Sequence, residues 1–333
     1  MSHQLAMNKT IRISAPGRIH VNLFDMSETG YRQNGGVGFS INSFDTIFEF
    51  EPSDQLKVID QRQVGYSLSE QASLLDFLNK LFHDNGYRTK FIIKILSGPP
   101  PHSGFGTGTI TKLACAEAAS LINDAATDAM NLVKSSGRGG TSGVGINTYF
   151  KGGMSIDLGI KSQGLMFAPS SARQRPKSTP LQILHFDLPT EWKFGIVLSP
   201  NENKISAAEE IAFFNRTCPI QPSSVHESIY HAVSGMACAA IENDYLTFAA
   251  SIAATQESEW KKAEWMAQSN NINALRSEIQ SRGVECVGLS SLGSTIYFMA
   301  NNIEEQIKAL GPSPKLSASV ASPNNSGRTL EID

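Results

Sequence analysis

SGPPPHSGFGTGT, residues 97–109, runs without a break into ITKLACAEAASLI, residues 110–122. The prolines stiffen the approach, the glycines permit a sharp turn, and the spacing of the following apolar residues predicts a helix. Glycine lets backbone approach an anion closely, and the unbonded N–H groups of a first helical turn point at it. Ser103, Gly104, Gly106, Thr107, Gly108 and Thr109 form this loop, with Thr107 and Thr109 adding hydroxyls. One of those hydroxyls, Thr109 in particular, offers a ligand to a phosphate-bound Mg²⁺. No Lys follows the last glycine, so the loop is not a Walker A motif. No acidic residue closes a βαβ unit after it, so it is not a dinucleotide fingerprint either. Taken alone, the loop also fits a helix N-cap with a flexible entry.

Working outward, FIIKIL (91–96) reads as a buried strand and residues 69–85 as a helix ended by Gly86. Residues 10–25 alternate polar and apolar on either side of Pro16-Gly17, which predicts two short strands. DTIFEFEP (45–52) and QLKVID (55–60) read as a hairpin. Beyond the loop come a short helix near 125–134, a second glycine-rich stretch (136–153) and the strand MSIDLG. APSSARQRPKSTP (168–180) is Pro/Ser-rich and basic, and the domain boundary is placed there. The second half reads as strand 193–200, helices near 205–216, 222–243, 245–257 and 270–282, paired strands around 283–300, a helix near 302–310 and a strand near 315–321. Strands and helices are mixed rather than strictly alternating, so the class is α+β, in two domains covering 1–180 and 181–333.

The 333 residues are 41% hydrophobic and 18% charged, ordinary globular composition. The four cysteines, Cys115, Cys218, Cys238 and Cys286, show no metal-ligand spacing and read as free buried thiols. No apolar run approaches a membrane span, and a cytoplasmic protein is expected. With a net charge of −3 and no basic stripe interleaved with aromatics, nucleic acid is excluded as a partner. Positive charge for a polyanionic ligand must therefore be supplied locally.

GRIHVNLFD, NGGVGFSIN, PPHSGFGTGT, SGRGGTSGVG and VGLSSLGSTIYF, in that order, resemble the GHMP kinase superfamily. The resemblance runs from about Arg12 to Arg328. It implies that fold, with an N-terminal ribosomal-protein-S5-like domain and a C-terminal ferredoxin-like α/β domain. More narrowly, the set resembles β-ribofuranosylaminobenzene 5′-phosphate synthase and related C-nucleoside synthases. The implied reaction joins the ribose 5-phosphate of phosphoribosyl pyrophosphate to an aromatic carboxylate such as 4-aminobenzoate or 4-hydroxybenzoate, or a heteroaromatic acid. CO₂ and pyrophosphate leave. Mg²⁺ is the implied cofactor, a homodimer the implied assembly, and methanopterin biosynthesis the family's setting. The resemblance also implies substrate or phosphate contacts for Asn22, Gly35, Gly36, Gly38, Thr141, Ser142, Gly143, Ser290, Ser291 and Gly293, besides the loop of 103–109.

A kinase of this superfold places a catalytic Asp after the phosphate loop. Residues 139–147 hold no carboxylate, and the nearest downstream is Asp157. That weighs against an ATP-dependent small-molecule kinase, the alternative reading. A binding protein that has lost the chemistry is a third. Departure of pyrophosphate calls for cationic groups, and Arg18 and Arg138 are the candidates. Arg18 and His20 alternate with Ile19 and Val21, so they share one face of a strand, with Asn22 joining them if the strand is regular. His20 would hold a phosphate or the acceptor's para group. Asp25 and Glu209 are the candidate metal carboxylates, although a turn cap and a helix first turn explain them equally. Phe24, Phe39, Phe105 and Tyr149 are the candidate aromatic lining. Arg173, Arg175 and Lys177 are a candidate basic lid, and Trp192, Trp260 and Trp265 read as structural.

Overall fold

A computed structural model describes residues 9–28, 30–126, 128–162, 166–169, 178–199, 205, 207–311 and 316–333. The basic stretch carrying Arg173, Arg175 and Lys177 lies outside the described residues.

β1 (Ile11–Asp25) is one continuous strand rather than two. A register shift between Ala15 and Gly17 absorbs Pro16, which has no N–H for the ladder. β1 pairs along its length with the 22-residue β2 (Arg32–Ser53). β3 (Lys57–Asp60) does not form the expected hairpin. The far part of β2 already pairs with β4 (Lys90–Ser97), so β3 adds to the other edge of β4, in parallel. Between β3 and β4 runs α1 (Leu68–Asn85), started by a capping box of Ser67 and Glu70 and stopped by left-handed Gly86. α2 (Thr107–Ile122) is apolar nearly all round and buried accordingly. α3 (Ala129–Ser136) and α4 (Val144–Lys151) pack against it. α4 is a helix within the stretch that reads as glycine-rich loop.

β5 (Met154–Asp157) and β6 (Ile160–Lys161) pair with β2, and β7 (Gln182–Phe186) with β5. The second sheet has the order β11-β8-β10-β9, with β8 (Phe194–Leu198), β9 (Cys286–Leu289), β10 (Thr295–Met299) and β11 (Ser317–Ala321) antiparallel. Its helices are α5 (Ala207–Thr217), α6 (Pro222–Tyr230), α7 (Cys238–Ile241), α8 (Tyr245–Thr255), α9 (Glu259–Met266), α10 (Asn270–Ser281) and α11 (Ile303–Leu310). A π-helical stretch, His231–Ala237, interrupts what reads in sequence as one helix over 222–243. The chain then returns to the first sheet, where β12 (Thr329–Ile332) pairs with β1. Because β7 and β12 both belong to the first sheet, a cut at residue 180 does not divide the two sheets.

The architecture is α+β, two sheets each with its own set of helices, as expected. One apolar core lies between the first sheet and α1–α4. A second joins the sheets, with Ile19, Val21, Phe39 and Ile41 of β1 and β2 packed on Phe194, Ile196, Phe248 and Tyr297. Phe39 and Phe194 have ring centroids 4.6 Å apart. At roughly 1.5–3 kcal/mol per large apolar side chain buried, this interface fixes one half on the other. Cys115 and Cys286 are buried, but Cys218 is half-buried and Cys238 exposed. No helix among the described residues is long and apolar enough to cross a membrane.

Candidate active site

The N-terminus of α2 opens into a cavity of ≈ 230 Å³ where the two halves meet. Gly106 caps the helix in a left-handed conformation, φ 78°. Its carbonyl takes the N–H groups of Thr109 at 2.9 Å and Ile110 at 3.1 Å, so those of Thr107 and Gly108 are left for a ligand. A side chain at Gly108 would meet no protein atom within 4 Å, because that position faces the open cavity.

Two arginines converge on this helix end. Arg18 of β1 donates from Nη1 to the Gly104 carbonyl at 2.6 Å, while its buried Nε–H has no partner. Arg138, from the turn after α3, donates from Nε to Thr109 Oγ1 at 3.0 Å. Burial, then the neighbouring Arg138, lowers Arg18 to about 10, so it stays charged at neutral pH. His20 lines the same cavity at 6% exposure. Burial, then Arg18 and Lys261, holds it well below the usual 6.5, so the ring is neutral.

The second half closes the site. Gly293 lies so near Gly104 that a side-chain carbon on it would sit 2.4 Å from the Gly104 Cα. Ser290 Oγ donates to the Gly104 carbonyl at 2.8 Å, and Thr295 Oγ1 to that of Ser103 at 2.5 Å. Ser291 takes positive φ, 56°, and its N–H bonds the His20 carbonyl at 3.2 Å. The same cavity is also lined by the apolar Leu23, Ile205, Phe214, Trp260 and Leu292 and by the acidic Glu210 and Glu264.

No family model matches the chain. A curated relative from Methanocaldococcus jannaschii, named β-ribofuranosylphenol 5′-phosphate synthase, is 30% identical over 301 residues, covering 86% of this chain and 88% of its own. The chain belongs to the β-ribofuranosylphenol 5′-phosphate synthase family. A relative of the same name from Methanothermobacter thermautotrophicus is 29% identical over 86% of this chain and 87% of its own. Solved structures place the family chain among GHMP folds. Homoserine kinase from Cytophaga hutchinsonii has a TM-score of 0.65 at 12% identity, covering 97% of each chain. Mevalonate diphosphate decarboxylase from Staphylococcus aureus has 0.63 at 12%, covering 99% of this chain and 100% of its own.

In this synthase-family chain, several residues expected at the ligand lie elsewhere. A bulge after His20 shifts the strand's alternation, so Leu23 reaches the cavity and Asn22 donates instead to Ser228 Oγ of α6 at 3.0 Å. Gly35, Gly36 and Gly38 lie beneath the site. A carbon on Gly35 would meet the Asp157 carbonyl at 2.6 Å, and one on Gly38 the Ile19 carbonyl at 2.3 Å, so these glycines serve close packing. Ser103, Gly143 and Ser290 brace the loops from behind. Gly104, Gly106, Thr107, Gly108, Thr109, Thr141, Ser142, Ser291 and Gly293 do line the cavity.

Asp25 caps its own turn, accepting from Ser27 N at 3.2 Å and Ser27 Oγ at 2.8 Å. Glu209 is exposed on α5, whereas its neighbour Glu210 faces the cavity. The Thr109 hydroxyl oxygen already accepts from Arg138, a poor neighbour for a divalent cation. Among the described residues, no group of three or more His, Cys, Asp or Glu could hold a metal ion. A Mg²⁺ bound here would draw most of its ligands from groups the protein does not supply, with Glu210 as a carboxylate lining the cavity.

Phe24, Phe39, Phe105 and Tyr149 are all core residues. The rings at the cavity are Tyr66, Phe214 and Trp260, which sequence reading missed or took as structural. Trp260 and Glu264 stand four apart on α9, hence on one helix face, and that spacing was the available signal. Asp157 is fully buried and does not line the cavity. It accepts from Ser142 Oγ at 2.9 Å and from the N–H groups of Gly143 at 2.8 Å and Gly159 at 3.0 Å. Burial raises it to about 6.

Proposed function

We propose that this chain is a decarboxylating C-glycosyltransferase that joins the ribose 5-phosphate of phosphoribosyl pyrophosphate to an aromatic carboxylate of the 4-hydroxybenzoate or 4-aminobenzoate kind. The observation that carries the reading is the composition of the cavity. Its lining brings two arginines and a helix N-terminus together with aromatic and aliphatic side chains. The names of the relatives support a ribosyl phosphate joined to a phenol.

On this reading the Thr107 and Gly108 amides with Arg18 and Arg138 bind the donor's phosphates and stabilise the negative charge that grows on departing pyrophosphate. Mg²⁺, held by those phosphates and Glu210, would add further neutralisation of the leaving group. The C1–O bond to pyrophosphate breaks, and the ring carbon bearing the carboxylate bonds to C1. The electrons of the ring–carboxyl bond return to the ring as CO₂ leaves, so no base is required. Neutral His20 donates or accepts a hydrogen bond beside the arginines. Phe214, Trp260 and Leu292 hold the ring and exclude water from the cationic sugar carbon.

A small-molecule kinase is the second reading, favoured by the kinases of the same fold. Asp157, the carboxylate hydrogen-bonded to the 139–147 loop, is buried and accepts three hydrogen bonds, which is unsuited to a base on an acceptor hydroxyl. The deciding experiment incubates the protein with Mg²⁺, phosphoribosyl pyrophosphate and a panel of aromatic carboxylates while following CO₂ and pyrophosphate. Equimolar release of both is expected. No release across the panel, with ATP consumed in a parallel assay, would replace this reading with the kinase.

A further inference from the structure

Among the residues lining the cavity is a carboxylate the reaction scheme above does not use. Glu264 is 2% exposed and lines the cavity beside Trp260. Its Oε1 accepts from the Trp260 indole N–H at 2.8 Å, and its other oxygen pairs with the Lys261 ammonium. Lys261 is 0% exposed and also donates to the Leu289 carbonyl at 2.6 Å, immediately before the loop that closes on Gly104. Trp260 and Lys261 thus each hold one carboxylate oxygen, while two carboxylate oxygens offer about four lone-pair sites. Each oxygen has one such partner and keeps a further lone pair, and the residue lines the cavity. An ionised carboxylate can only accept, so it rewards a ligand N–H or O–H and penalises an anion or a bare ether.

We propose that Glu264 is the residue that selects and orients the aromatic acceptor, by taking a hydrogen bond from a hydroxyl or amino group para to the reacting carbon. This rests on the acceptor reading above. The acceptor's own carboxylate is repelled by Glu264 and drawn to Arg18 and Arg138, so the ring lies between them with its carboxyl-bearing carbon toward the sugar. A para O–H hydrogen-bonded to a carboxylate releases more electron density to that ring carbon, where the new bond forms. The proton stays on the acceptor through the sequence, so the step needs no further reactant.

The test compares 4-hydroxybenzoate with 4-methoxybenzoate. Both substituents release electrons to the ring comparably, but only the first can donate a hydrogen bond. Wild-type protein is expected to favour the hydroxy acid in kcat/KM by at least about tenfold, as a site built to bind an O–H rejects an analogue without one. In E264Q, whose amide can donate to the ether, the preference falls to within about threefold while the KM for phosphoribosyl pyrophosphate moves less than about twofold. Because E264Q leaves the Lys261 ammonium unpaired, E264Q/K261M, which removes both charges, is measured beside it. Equal use of the two acids by wild type overturns the assignment, as does a preference that persists in a folded variant. A change confined to the phosphoribosyl pyrophosphate KM also overturns it, moving Glu264 to the sugar. If wild type turns over neither acid, the acceptor reading itself has failed and the assignment goes with it.

Discussion

Gly108 is the residue at which ligand binding and folding separate most cleanly. It lies in the first turn of α2 with helical backbone and open space where a Cβ would go. Gly108→Ala should leave stability unchanged or raise it by about 0.5–1 kcal/mol, since Ala is the better helix former. The same methyl would stand where the phosphates approach the amides, and affinity for phosphoribosyl pyrophosphate should fall by at least about tenfold. Thermal melts and calorimetric titration on one sample read both effects, and unchanged affinity would remove the helix end from the site. Much at this scale was legible beforehand. The alternation Arg18-Ile19-His20-Val21 put both polar side chains on one strand face, and Arg138 between its glycines lines the same cavity. What misled was Asn22, because a bulge is a property of strand pairing and leaves no mark in one strand's own residues.

At the scale of elements, the site depends on two loops from distant parts of the chain meeting backbone to backbone. Gly293 against Gly104 allows this, and Ser290 and Thr295 stitch it. In Gly293→Ala the new methyl would lie 2.3–2.4 Å from the Gly104 backbone, so one loop must retreat. The expected cost is roughly 1–3 kcal/mol in chemical denaturation, the range for overpacking. Turnover should fall further than stability, because the phosphate loop shifts with its partner. Full activity at native stability would show that the loops close without this contact. The sequence marks both loops as glycine-rich, yet neither gives the other's address. α9 shows the opposite failure. Its tryptophans suit a core helix, and Trp265 is one, but Trp260 serves core and cavity at once.

For the whole molecule, two buried groups make stability depend on pH in opposite directions. His20 has its folded value held well below 6.5, so its contribution is complete above 6.5 and is lost as pH falls. Asp157 runs the other way. Raised from 3.8 to about 6, it favours the folded state fully below 3.8 and loses that contribution as pH rises through 6. Thermal melts between pH 4 and 7 should therefore show H20N losing less Tm toward acid than wild type, and D157N losing more. A shift of roughly 1–2 °C accompanies each kcal/mol in a chain of 333 residues. Curves parallel to wild type for both variants would mean that neither group titrates differently on folding.

Period, turn chemistry and loop composition are local properties, and they carried the reading a long way. They placed α1 with its Gly86 stop, the glycine-rich loop before α2 and α2 itself, the strands of the second sheet, most of those of the first but not β6, β7 or β12, and the ordered set of glycine-rich segments that marks the GHMP fold. Pairing and enclosure are not local. Which edge of β4 receives β3, why β7 and β12 return to the first sheet, and which of several phenylalanines reach the cavity depend on surfaces contributed by residues far apart in the chain. Burial of Phe39 against Phe194 docks the two halves. Only that docking brings Glu210, Glu264 and Trp260 into one cavity with Arg18 and Arg138, because the free energy that selects the arrangement comes from apolar area neither half can bury alone.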